Sequence, residues 1–82
     1  MILIKLWIDA TNPAPDGYVG CKTIEEAIGL IGDTEEYLGK DTIAFVDFDY
    51  DLSGRAEFVN WLEKTNRNYQ LRAHINYPFG KE

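Results

Sequence analysis

Apolar positions along the chain fall into three extended runs separated by two helical stripes. Ile2 to Ile8 is apolar at nearly every position, interrupted only by Lys5, which is the pattern of a strand covered on both faces. Ile43 to Phe48 is a second such run, β-branched and aromatic. Tyr69 to Ile75 alternates weakly, with Tyr69, Leu71, Ala73 and Ile75 set against Gln70, Arg72 and His74. Between the first two runs, Ile24, Ala27, Ile28 and Ile31 recur at i, i+3, i+4 and i+7 and form one face of a helix. Thr23-Ile-Glu-Glu26 supplies a capping box at its start, and Gly32 reads as its stop. Asp33 to Gly39 predicts a short second helical turn. Ser53 reads as the N-cap of a helix from about Gly54 to Lys64, with Phe58, Trp61 and Leu62 on its core face.

The order strand, helix, helical turn, strand, helix, strand predicts an α/β fold: a small parallel sheet with right-handed crossovers and helices packed on it. At 82 residues the chain makes one domain spanning positions 1–82. Pro13, Pro15 and Gly17 predict that residues 10 to 22 form a long irregular loop. Ligands of such sheets bind beyond the carboxyl ends of the strands. That rule selects Asp9, the trio Asp47, Asp49 and Asp51, and the segment His74 to Gly80.

Alternate residues of an extended chain share a face, so Asp47, Asp49 and Asp51 can converge, with Asp9 joining from the neighbouring strand. Carboxylates gathered in this way recruit a hard cation such as Mg2+ or Ca2+, or work as acid and base. Asp9, Asp49 and Asp51 are therefore the candidate metal ligands and, with His74, the candidate catalytic groups. The competing reading is that Asp51 and Ser53 cap the following helix and the other acids are solvated strand ends. An EF-hand is excluded, because Leu52 and Phe58 stand where that loop requires Gly and Glu. His74 is the only imidazole, and a carboxylate within reach would make it a general acid or base. Cys21, ahead of a helix start, sits where a thiolate is favoured, although a buried thiol is the simpler reading. Tyr18, Tyr50 and Tyr77 lie in or beside the three strand-end loops and could stack on a base, whereas Trp7 and Trp61 read as packing.

Taken together, Leu6-Trp-Ile-Asp-Ala-Thr-Asn-Pro-Ala-Pro-Asp-Gly-Tyr18, Lys22-Thr-Ile-Glu-Glu-Ala-Ile28, Asp49-Tyr-Asp-Leu52, Trp61-Leu-Glu63 and His74-Ile-Asn-Tyr-Pro-Phe-Gly80 resemble the cyclic-phosphate processing receiver-like domains. The resemblance implies a shortened, truncated receiver-like (flavodoxin-like) architecture. It also implies phosphoesterase-like processing or binding of cyclic or terminal phosphates on nucleotides or RNA. That family closes its first strand with Asp-Asp-x-Arg-Pro, its middle strand with Asp-His-Asp-Leu and its last with His-Ser-x-Asn-Pro-x-Gly. Asp9, Asp49, Asp51, His74, Pro78 and Gly80 match. Ala10 stands for the second acid, Asn12 for the Arg, Tyr50 for the His, Ile75 for the Ser and Tyr77 for the Asn. Asn12, Tyr50, Asn76 and Tyr77 are accordingly the expected ligand contacts. Because the substitutions fall on phosphate-gripping and proton-moving groups, a catalytically degraded module that binds a ligand or a protein is the alternative expectation.

Charge and composition narrow the partners. Fourteen acids against eight bases give a net charge of −6, which repels phosphate backbones and argues against non-specific nucleic-acid binding. The apolar opening is too short to cross a bilayer. A single cysteine permits no internal disulfide, so a cytoplasmic, reducing setting is expected. Family members continue into a further helix, so an open apolar surface near Leu71, Ala73 and Ile75 is expected, covered by a homodimer contact or a partner protein.

Overall fold

The computed structural model describes residues 3–39 and 42–75. Four strands form one parallel sheet: β1 (Ile4–Ile8), β2 (Tyr18–Cys21), β3 (Ile43–Asp49) and β4 (Gln70–His74), in the order β2-β1-β3-β4. Helix α1 (Ile24–Leu38) joins β2 to β3, and α2 (Arg55–Lys64) joins β3 to β4. Both crossovers advance across the sheet in the same direction, so right-handed connection puts both helices on one face. That face is the core. Leu6 and Ile8 pair in register with Val46 and Phe48, and these four meet Ala27 and Ile31 of α1 and Phe58 and Leu62 of α2.

The connection from β1 to β2 runs the other way across the sheet, and the same handedness puts it on the opposite face. Residues 9–17 make this crossing without a helix. The Trp7 indole donates to the Asn12 carbonyl at 3.1 Å, and the loop passes so close to β2 that a Cβ on Gly20 would meet the Ala14 Cβ at 3.2 Å. Where the sequence predicts irregular loop throughout 10–22, the structure therefore has a fourth strand. β2 is a four-residue edge strand with two exposed positions, too short to show a period.

Helix α1 is also longer than its pattern suggests. Gly32 lies within the helix, and Thr34 is buried one turn after Ile31, so the expected second turn over 33–39 is the same helix continued. The stop is Gly39, whose φ of 100° is readily adopted only by glycine. In α2 the expected Ser53 cap is replaced by Gly54 in the left-handed region, with no side-chain cap. β4 begins at Gln70, and Tyr69 precedes it. Leu71, Ala73 and Ile75 are exposed, as expected for a last strand without a covering helix among the described residues. No described helix is long and apolar enough to cross a membrane.

At the amino end of the sheet, Arg67 grips Glu35 of α1 at 2.7 and 3.1 Å, and the Tyr69 hydroxyl donates to the same carboxylate. Burial, reinforced by the bond to Glu35, holds the Tyr69 phenol well above the usual range. An acid whose folded pKa is raised contributes its full stability below the unfolded value, about 10 for a phenol, and loses it as the pH climbs toward the folded value. The domain is therefore expected to weaken above about pH 10 as the unfolded chain ionises. Tyr69→Phe should remove that alkaline decline while costing about 1 kcal/mol at neutral pH. Urea midpoints measured across the alkaline range check both effects, and an unchanged decline in the variant would assign it to another group.

Candidate functional site at the carboxyl edge of the sheet

Asp9 is the first residue beyond β1, and its amide donates to the Cys21 carbonyl at 2.9 Å, which ties it to β2. Its carboxylate turns back under the following loop. Oδ1 accepts from the amides of Thr11 at 2.8 Å and Asn12 at 3.0 Å, and Oδ2 accepts from the Asn12 side-chain amide at 3.4 Å. This is an Asx-type turn, in which a short side chain replaces backbone partners. The Asn12 side chain is thereby directed inward, onto Asp9.

His74 ends β4, in register with Asp49, and its ring lies over the helix-free face. Nε2 is 2.9 Å from Asp9 Oδ2, and Nδ1 is 2.7 Å from Asp47 Oδ1. Both carboxylates are buried, while the imidazole keeps 14% of its side-chain surface exposed. Trp7, neighbouring Asp47 across β1 and β3, stacks on the ring at 3.8 Å with the two planes 6° apart. Arg72 approaches the second Asp47 oxygen at 3.9 Å from a largely exposed position. An imidazolium can donate to both acids at once, whereas a neutral ring can donate to only one.

Asp49 and Asp51 are placed differently. Asp49 Oδ1 accepts from the Asp51 amide at 3.1 Å, closing the turn after β3. Both acids line a groove of about 730 Å3 that runs between the starts of α1 and α2 and includes Thr11, Lys22 and Ser53. A smaller pocket of about 290 Å3, lined by Trp7, Asp9 and Asn12, adjoins it, and both contain Ala10, Thr11 and Lys22. Among the described residues, no three of His, Cys, Asp and Glu are grouped to hold a metal. Both Asp9 oxygens are already engaged by hydrogen-bond donors and the imidazole, so Asp9 does not fit the open oxygen shell that Mg2+ or Ca2+ requires.

Tyr50 is half exposed, with the Arg55 guanidinium 4.7 Å from its ring centre. Asn76 and Tyr77 lie outside the described residues. Two contributors lie outside the candidate catalytic and ligand set drawn from the sequence. Asp47 belongs to the alternating acids but precedes the Asp49-Tyr-Asp-Leu52 motif, and Trp7 reads as core. Strand parity is the signal that links them, since register places Trp7 beside Asp47 on one face. Cys21 lies in β2, buried, and burial together with the nearby Glu26 charge raises its thiol pKa, so no reactive thiolate is favoured there.

Fold and site define a compact receiver-like α/β domain with a buried acid–imidazole–acid centre at the carboxyl edge. The chain matches the family described as the cyclic-phosphate processing receiver domain over residues 4–82, and it belongs to that family. No curated protein and no solved structure matches it.

Removing the imidazole would leave two buried carboxylates without a shared partner. His74→Ala should cost about 3–5 kcal/mol, the scale for breaking a buried ion pair from one side. In an Asp47→Asn background the same change should cost about 1–3 kcal/mol less, because one of the stranded charges is already gone. Urea unfolding of the four proteins tests the coupling, and additive costs would mean that His74 and Asp47 act independently.

Proposed function

We propose that this domain carries out phosphoesterase-like chemistry on cyclic or terminal phosphates of nucleotides or RNA, with Asp9 and His74 as the proton-transfer pair. The observation behind this reading is the imidazole held by both nitrogens between two buried acids at the edge where parallel sheets bind their ligands. Asp47 on Nδ1 orients the ring, a familiar role for a carboxylate behind a working imidazole. Nε2 and Asp9 then form the pair that exchanges protons.

An incoming phosphodiester would separate Nε2 from Asp9. Water attacks phosphorus, its proton passes to the Asp9 carboxylate, and the leaving oxygen takes the Nε2 proton as its bond to phosphorus breaks. Proton return from Asp9 to His74 restores the pair. Binding without turnover is the second reading, favoured by the inward turn of Asn12 onto Asp9 at the position where the family pattern has a phosphate-gripping Arg.

Phosphorus NMR on adenosine 2′,3′-cyclic phosphate discriminates between the readings. Turnover would appear as a ring-opened monoester signal, slowed about a hundredfold or more in Asp9→Asn or His74→Gln proteins that remain folded. A chelator should leave the rate unchanged. Line broadening of the intact cyclic ester without a product signal would select the binding reading, and the absence of both effects would reject the two together.

A further inference from the structure

β4 adheres to the sheet with little apolar burial. It lies at one edge and pairs with β3 alone, Gln70 to Ala73 are exposed, and among the described residues the buried core takes no side chain from it. Beyond its ladder to β3, it is held at its ends. Just before it, Arg67 and Tyr69 converge on the carboxylate of Glu35, which keeps only 10% of its side-chain surface exposed, and the Arg67 guanidinium lies 4.7 Å from the centre of the Trp61 ring. At the far end the His74 ring bridges Asp9 and Asp47, and the His74 carbonyl accepts from the Tyr50 amide at 2.8 Å. Roughly 17 Å of extended chain separates Tyr69 from His74.

We infer that Glu35, at the amino edge of the sheet, is a positioning residue for the acid–imidazole–acid centre at the opposite edge, acting through β4 as a strand that docks and leaves as one unit. A short edge strand with so little apolar burial opens at a lower free energy than the core, which makes it a unit of local unfolding. Leaving breaks both ends together. The contacts of Glu35 are then lost along with those of His74, so whatever holds the first end raises the population in which the imidazole stands between its acids. The dependence is reciprocal, because both ends bias one equilibrium. Removing the Glu35 carboxylate thus loosens His74 without altering Asp9, Asp47 or the ring itself. This link belongs to the centre whichever reaction it serves, and it goes beyond the reading proposed above.

Native-state hydrogen exchange, under conditions where the rate follows the opening equilibrium, tests the inference through the Tyr50 amide, whose partner is the His74 carbonyl. Glu35→Gln should speed exchange of that amide about tenfold or more. Tyr69→Phe, a milder change that keeps the pair between Glu35 and Arg67, should speed it about fivefold and serves if the first variant does not fold. Ile31→Val is the control. Ile31 packs in the core, whose contacts survive when β4 leaves, so this variant should speed exchange of the β1 amides while leaving the Tyr50 amide within about twofold of its native rate. An unchanged Tyr50 rate in a folded Glu35→Gln or Tyr69→Phe protein would overturn the inference. A Tyr50 rate that rises with Ile31→Val as much as the β1 rates would overturn it too, because that amide would then be exposed only when the whole domain unfolds.

Discussion

Burying a carboxylate costs several kcal/mol unless donors or a counter-charge replace its lost hydration, and this sheet buries two of them within reach of a single imidazole. Asp9 and Asp47 arrive from different strands, and His74 from a third. The centre therefore exists only when β1, β3 and β4 are assembled in register, so the chemistry of the site is inseparable from the completed sheet. Trp7 adds a flat wall that limits tilting of the ring out of the line joining the two acids. Its indole N–H is tied to Asn12, in the same loop whose amides hold Asp9.

The handedness of the connections explains why this centre lies where it does. With both helices on one face, the core takes the side chains of Leu6, Ile8, Val46 and Phe48, and the alternate residues Trp7, Asp47 and His74 are left for the other face. There the cover is a loop rather than a helix. A loop approaches the strands more closely, which is why Gly20 lies against Ala14, and it delivers backbone amides to a carboxylate that a helix side chain could not solvate as compactly.

Much of this organisation is visible in the residues. Three of the four strands, both helical faces and the placement of Asp9 and His74 at strand ends follow from period and punctuation. β2 was hidden because Tyr18 to Cys21 is short, partly exposed and surrounded by proline and glycine, and its pairing to β1 is a tertiary fact. Gly32 misleads because a glycine ends a helix only where the backbone turns to positive φ, and Gly39 is the residue that does so. The choice of Asp47 over Asp49 as partner of His74 could not be read from spacing, since both acids share one face. Register and side-chain reach decide it.

β4 illustrates a less common way of fixing a strand. Gln70 to Ala73 are exposed, so little apolar burial selects its alignment, although such burial is what ordinarily prevents strands from sliding. A slip of two residues would preserve which side chains face which way and carry His74 about 6–7 Å along the sheet. Polar contacts at the two ends oppose it. Arg67 and Tyr69 hold Glu35 just before the strand, and His74 holds two acids at its end. The segment behaves as a measured spacer fastened at both extremities, so an inserted or deleted residue between Tyr69 and His74 would detach one pole or the other even though no packed core had been disturbed.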